Sequence, residues 1–400
     1  MATDLYIDYE SRGTADIEEV GLHNYVWHPE TQPLFLSYAF GDEKWRQWKI
    51  YLGEPIPKDI HDGFRDPKVD LIAFNSAFER HTTNKIGYPV GPERFIDPQV
   101  CGRMMSLPGY LEAQGIIMDL PPELQKMAAQ GKKLINFFCM PQKNTITQVK
   151  KGLPAFYWND WTTHPKEWEE FLQYGGADIP AERELLRRYR ILGAWPQTPF
   201  ERKLWIFDQK VNDRGRPVDV KFVRSMYNVA IRAKKEAKDA QNTITGLENS
   251  NSRNQVLPWL KARGYPYNTL RKETVDSVMK DPENKLTSEA KEVLRLRREA
   301  SSTTYTKLPS ILKRVSPDGR LKGQFVFLGS ARCGRWSGDG VQLHNLARTS
   351  VINGHDFEEE DVMIEARNMI YAEDYEGLKE KYKQPLLVVK SLIRTVFVAP

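Results

Sequence analysis

The first strand-like stretch of this chain carries Asp8-Tyr9-Glu10. In a strand, residues two apart project to the same face, so the two carboxylates point together while Leu5 and Ile7 point away. Carboxylates held side by side repel each other unless a cation lies between them, and hard oxygen ligands of this kind suit magnesium or manganese. A second acid, Glu79, follows Ala73-Phe74-Asn75-Ser76-Ala77-Phe78, where a strand gives way to a helix. Asn75 is a helix-capping residue type, and an acid in the first helical turns is favoured by the helix dipole whatever its other role. The third element is Tyr174-Gly-Gly-Ala-Asp178. On a helix, positions i and i+4 share a face, so the phenol and the carboxylate meet. Gly175, Gly176 and Pro180 predict that the helix is irregular there.

The elements that must position these residues can be traced along the chain. Strand patterns run over residues 5–10, 34–40, 44–51 and 69–74, with Gly41-Asp42 as a hairpin turn between the second and third. Helical patterns follow at 76–86, 98–106 and 166–192. Strands first, then strands alternating with helices, predict a mixed α/β domain ending near residue 195. Gly193-Ala-Trp-Pro-Gln-Thr-Pro199 has the composition of a linker. Residues 200–310 are mostly helical and rich in Lys and Arg, residues 320–330 return to strand-like sequence, and 358–383 is helical again.

Composition excludes several classes. With 400 residues the chain can build two or three cores. No apolar run approaches a membrane span, and the N-terminus lacks the basic start and apolar core of a signal peptide, so a cytoplasmic location is expected, that of the host cell if the protein is viral. Cys101, Cys139 and Cys333 are widely spaced and odd in number, which argues against a disulfide framework or a zinc site. The net charge of +5 is mild. Basic residues nevertheless cluster at Lys132-Lys133, Lys150-Lys151, Arg232 to Lys238 and Arg295 to Arg298. Such clusters are commonly solvated helix faces; independent evidence for DNA would make them phosphate-contact candidates.

Taken in order, the three acidic elements resemble the exonuclease motifs of the DEDD superfamily, in the tyrosine version of the family A DNA polymerases of bacteriophage type. That family has DxE on its first strand, NxxYD or NxxFD at a strand-to-helix junction, and YxxxD on a late helix. Phe95-Ile-Asp-Pro-Gln, Leu107-Pro-Gly-Tyr-Leu-Glu and Gly131-Lys-Lys-Leu-Ile-Asn-Phe-Phe are similar to the segments between the second and third motifs, so the resemblance covers residues 5–192. It implies an RNase H-like fold and a 3′→5′ exonuclease that uses two divalent ions, Mg2+ or Mn2+, about 4 Å apart. It further implies that Asp8, Glu10 and Asp178 hold one ion, that Asp8 bridges to a second which Glu79 helps to hold, and that Tyr174 orients the attacking water. Glu79 departs from the family aspartate by one methylene.

The resemblance continues. Phe200 to Val220 is similar to the opening of a family A polymerase domain, an amphipathic helix leading into N-x-R-G-x-x-V-D. Asn251-Ser252-Arg253-Asn254-Gln255 resembles a thumb segment that touches duplex backbone, and Asn, Ser and Gln side chains suit phosphate hydrogen bonds. Gly329 to Arg348 resembles TGRxSS…QNLP, with Arg335, Ser337, Gln342 and Asn345 matching directly, Cys333 replacing threonine and Ala347 replacing proline. In the family this segment lies along the primer-template minor groove, where polar groups meet acceptors common to all base pairs. Ser391-Leu-Ile-Arg394-Thr-Val-Phe397 resembles the segment that precedes the first palm aspartate. Asp374-Tyr375 imitates that palm motif out of place, and Asp374 is expected to cap a helix. DNA contacts are therefore expected from Asn75, Ser252, Gln255, Arg332, Arg335, Ser337, Gln342, Asn345 and Arg394.

The expected architecture is an α/β, RNase H-like mixed-sheet exonuclease domain at 1–195, the start of a polymerase domain with a helical thumb at 196–318, and a partial palm at 319–400. The palm carboxylates and fingers are not found in these residues. The leading expectation is a proofreading exonuclease and primer-template-binding half of a split polymerase, acting on single-stranded 3′ ends and duplex, with a second polypeptide supplying palm and fingers. The alternatives are a DNA-gripping subunit with a weak or inactive nuclease, and a free-standing exonuclease. No membrane partner is expected.

Overall fold

The structure, a computed structural model, describes residues 3–125, 128–193, 199–300, 304–330 and 333–399. Five strands build the main sheet: β1 (Thr3–Arg12), β2 (Gln32–Phe40), β3 (Arg46–Trp48), β4 (Val69–Ile72) and β5 (Phe95–Ile96). Their order is β3-β2-β1-β4-β5, so β1 is central. β2 pairs with it antiparallel and β4 parallel. The strand period sorts the side chains of β1. Leu5, Ile7 and Tyr9 enter a cluster with Leu36, Tyr38, Leu71 and Phe95. Tyr6 enters another, with Ile72, Ile179, Leu185 and Tyr189. Asp8 and Glu10 share the face of Tyr6.

The strand expected over 44–51 is shorter. After Trp48 the backbone turns, because the Trp48 indole N–H donates to the Glu54 carbonyl at 2.8 Å and the Lys49 amide donates to the Glu54 carboxylate at 3.1 Å. The hairpin falls as expected at Gly41, with φ +48°.

The helices that carry the site are α1 (Ala77–Lys85), α2 (Pro98–Met104), α3 (Ala128–Phe138) and α4 (Pro165–Ile191). The predicted irregularity in α4 is not observed: the helix runs unbroken for 27 residues through both glycines and Pro180. Packing overrides propensity here. A Cβ on Gly175 would lie 2.7 Å from the Phe35 ring, and one on Gly176 would lie 2.5 Å from the Trp45 ring. Each glycine weakens the helix by about 1 kcal/mol relative to alanine. In return the axis comes close to the sheet and buries Trp168, Phe171, Leu172, Ile179, Leu185, Leu186 and Tyr189. Burial at about 1.5–3 kcal/mol per large apolar side chain outweighs that loss.

By packing, the chain divides into two units: Met1–Gly215 with Arg314–Gln342, and Arg216–Lys313 with Leu343–Pro400. This division differs from the motif-based boundaries at 195/196 and 318/319. Helix α5 (Pro199–Arg214) and the hairpin of β6 (Phe325–Ser330) and β7 (Arg335–Gly338) belong to the first unit. There Trp205 and Phe327 join the Leu5 cluster. The proline-bearing linker at 194–198 lies outside the described residues.

The second unit is built on α6 (Val220–Thr245), α7 (Arg253–Lys261), α8 (Ser288–Ala300), α9 (Glu360–Tyr371), α10 (Tyr375–Tyr382) and α11 (Pro385–Leu392). Val256, Leu260, Val293 and Leu294 form part of its core. Asp374 caps α10 as expected, accepting from the Gly377 amide at 2.9 Å. Among the described residues, no helix is long and apolar enough to cross a membrane.

Candidate active site and nucleic-acid interface

Register fixes the first two acids. Asp8 lies opposite Ser37 and Glu10 opposite Phe35, with a bulge immediately after Glu10. Helix α4 crosses this strand closely enough that a Cβ on Gly175 would approach Glu10 Cγ to 3.4 Å. The third motif is thereby brought over the first. Tyr174 packs against α3 at Gly131, where an added Cβ would overlap its ring at 2.2 Å. That close approach gives Gly131 a steric reason to lack a side chain.

Glu79 is 4% exposed, and its Oε2 has no hydrogen-bond partner. Burial, then the nearby Asp8, with smaller effects of Asp97 and Glu10, pushes its carboxyl well above the usual range. Asp178 is 6% exposed. One helical turn further on stands an acid that the motifs did not indicate. Glu182 is 2% exposed; its Oε1 accepts from the Phe74 amide at 3.2 Å, and its Oε2 is unpaired. Burial, Asp8, Asp178 and Glu79, in that order, raise its carboxyl well above the usual range. The i, i+4 spacing that joined Tyr174 to Asp178 repeats from Asp178 to Glu182, so the signal was present in the sequence.

The acids of β1, α1 and α4 thus lie near enough for their charges to raise the pKa values of Glu79 and Glu182. Among the described residues, no three carboxylate, imidazole or thiol groups enclose a metal position as they stand. The donor set nevertheless fits a hard divalent ion: it is all carboxylate, largely buried, and mutually repulsive, with unsatisfied oxygens on Glu79 and Glu182.

The junction before Glu79 is held differently from the expectation. Asn75 is not the cap of α1; it precedes the cap residue Ser76 and has φ +65°. Buried Asp97 does the holding, accepting from the Asn75 amide (3.1 Å), the Ser76 amide (2.9 Å) and the Ser76 hydroxyl (3.0 Å). The same carboxylate caps α2 through the Gln99 amide at 2.9 Å. The Asn75 side chain is exposed and lines a cavity of about 510 Å³ with Arg103, Tyr110, Trp205 and Asn212.

Beyond Glu79, α1 is clamped to α5. Arg80 donates both terminal nitrogens to Asp213, at 2.7 and 2.8 Å, and His81 Nε2 lies 3.0 Å from the same carboxylate. Next to this clamp, His23 meets His81 edge to face at 5.2 Å. Burial, then Lys322 and His81, against weaker opposition from Asp213 and Asp318, lowers the His23 pKa to about 4. A depressed folded-state pKa means that stability is complete above the unfolded value near 6.5 and is lost as pH falls through about 4. Urea midpoints should therefore drop between pH 6.5 and 4, and His23→Leu should flatten that dependence.

The hairpin of β6 and β7 is anchored in the same unit. Trp336 Nε1 donates to Asp208 Oδ1 at 2.7 Å. Burial raises the Asp208 pKa to about 6 against the hydrogen bonds of Trp336, Gln209 and Asn212. Arg335 is exposed, and Ser337 packs against Gly329. Gln342 is exposed with φ +54°. Arg332 lies outside the described residues.

In the second unit, Ser252 is the N-cap residue of α7. The exposed Gln255 accepts from the Asn249 amide at 3.0 Å. Arg297, which the motifs did not indicate, donates to the Ser250 carbonyl (2.8 Å) and the Asn251 carbonyl (3.0 Å) and so fixes this loop. Asn345 is exposed. Arg394 is exposed and donates to the carbonyls of Ala347 at 3.0 Å and Leu346 at 2.9 Å. Several of the clustered cations are paired: Arg232 with Glu236 and Glu376, Arg295 with Glu292 and Glu299, and Arg298 with Asp276.

No protein-family model matches the chain. It is 31% identical over 403 aligned residues to the DNA polymerase of Bacillus phage SP02, an alignment covering 98% of this chain and 57% of that protein. A solved structure with a similar fold is the POL domain of Pol1 from M. smegmatis, in complex with DNA primer-template and dNTP. The match has a TM-score of 0.50 at 13% identity and covers 86% of this chain and 52% of that one. The chain is thus similar along nearly its whole length to a phage DNA polymerase, of which it spans little more than half.

Proposed function

We propose that these 400 residues are the 3′→5′ exonuclease and primer-template-binding part of a family A DNA polymerase. The observation that carries the reading is the convergence of acids from three separate elements, half-buried Asp8 on β1 with buried Glu79 on α1 and buried Asp178 on α4. A buried acidic cluster of this kind is costly to fold unless cations neutralise it.

In this reading Asp8, Glu10, Glu79 and Asp178 hold two divalent ions, magnesium or manganese. When bound, such ions supply hydroxide from water and stabilise the leaving 3′ oxygen. Tyr174, its ring set against Gly131, orients the attacking water. Asn75, beside the cavity, receives the frayed 3′ strand. Glu79 reaches one methylene further than the family aspartate, and its backbone position is set by Asp97 on one side and the Arg80–Asp213 pair on the other. The Ser252 to Gln255 segment grips duplex phosphates, while Arg335, Ser337, Gln342 and Asn345 meet the minor groove. Nucleotide addition requires palm and fingers residues that are not among these 400.

A 5′-labelled primer annealed to a longer template tests the proposal. The chain should shorten the primer from its 3′ end in magnesium and not in chelator. Persistent full-length primer despite DNA binding would reject the nuclease. Arg335→Ala should weaken duplex binding more than single-strand binding in anisotropy titrations; equal losses would place Arg335 outside the duplex cleft.

A further inference from the structure

We propose that Glu182 is a further acid of the cation centre, offering its unpaired Oε2 to a divalent ion held with Asp8, Glu79 and Asp178. The inference rests on the reading of those acids as the exonuclease centre and extends it by one residue.

Three observations carry it. Glu182 is one turn from Asp178 on the same face of α4, at the spacing that places side chains in contact. It is 2% exposed, so water does not solvate its charge. Its two oxygens are unequal: Oε1 accepts from the Phe74 amide, whereas Oε2 is buried with no hydrogen-bond partner. A buried carboxylate oxygen without a donor is costly, and the groups electrostatically nearest to it are three more carboxylates. A cation satisfies all four together. The Oε1 bond also ties α4 to the residue preceding Asn75, so Glu182 links the second and third motifs.

The competing role is purely structural, with Glu182 serving only as the acceptor for the Phe74 amide. Glu182→Gln separates the two, because the amide oxygen can still accept that hydrogen bond while the carboxylate is lost. The full chain would be titrated with Mn2+ by calorimetry, as wild type, Asp8→Ala and Glu182→Gln, with thermal unfolding of each in chelator and in Mn2+. Glu182→Gln is expected to bind Mn2+ about tenfold or more weakly. Its melting temperature in chelator should be unchanged or higher, because a repelling charge is gone, and its gain on adding Mn2+ should be smaller.

Wild-type Mn2+ affinity in Glu182→Gln, with binding lost in Asp8→Ala, overturns this proposal and leaves the exonuclease centre standing. Wild-type affinity in both variants overturns the centre itself and the proposal with it. Should Glu182→Gln fail to fold, Glu182→Asp keeps the charge and retracts the oxygen by one methylene. Undiminished Mn2+ affinity in that variant also overturns the proposal.

Discussion

Asp8→Ala is expected to abolish metal-dependent shortening of a labelled primer, a loss of about a hundredfold or more, because a site that cannot hold its ions forfeits several kcal/mol of transition-state stabilisation. DNA affinity should be largely unchanged, since the proposed duplex contacts lie on other elements. The variant should also fold. Asp8 is on the central strand, but its charge pushes up the pKa of both Glu79 and Glu182. Removing it relieves repulsion, so the melting temperature in chelator should hold or rise. Undiminished shortening in Asp8→Ala would remove the site assignment. Absence of shortening in the wild type, with DNA still bound, would indicate a chain that grips without cutting and would direct attention to Glu79. Extension of the primer when all four nucleotides are present would reveal a polymerase site among residues assigned here to other roles.

Asp213→Ala is expected to lower stability by about 3 kcal/mol, seen as a lower urea midpoint at unchanged slope. The Arg80 guanidinium is 4% exposed and would be left as an uncompensated buried charge; Asp213 itself is 30% exposed, which places the loss at the lower end of the range for buried pairs. The double replacement Arg80→Met with Asp213→Leu should recover most of the loss, because it removes both charges and keeps apolar volume. Acid should mimic the single variant. Burial alone would raise the Asp213 pKa, but the hydrogen bonds and positive charge of His81 and Arg80 hold it well below the usual carboxylate range. The stabilisation is therefore complete above the unfolded carboxylate value near 3.9 and fades as pH falls through the folded one. Since Arg80 adjoins Glu79, Asp213→Ala should also slow the nuclease in kcat more than in KM. A stability change below about 0.5 kcal/mol would show that the pair behaves as a solvent-exposed bridge.

Which residues could share a face was legible before any folding was considered. Period two on β1 set Asp8 beside Glu10, and period 3.6 on α4 set Tyr174 one turn from Asp178, because these relations are local and follow from backbone geometry alone. Capping was equally legible at Asp374, whose partner is three residues away. Where the controlling partner is distant in sequence, local reasoning gave a different answer. Asn75 reads as a cap, yet Asp97, more than twenty positions on, takes the amides of that junction. Gly175, Gly176 and Pro180 read as an interruption, yet the helix is continuous because Phe35 and Trp45 occupy the space that side chains there would need. Arg394 reads as a DNA contact; that the same exposed side chain also donates to the carbonyls of Leu346 and Ala347 was not legible locally. Glu182 shows both sides of the division. Its spacing from Asp178 was visible in the sequence, but an acid on a helix is ordinarily a solvated one. Only the tertiary structure, by closing α4 over the central sheet and removing water, made it one of a set of buried carboxylates that a cation would stabilise.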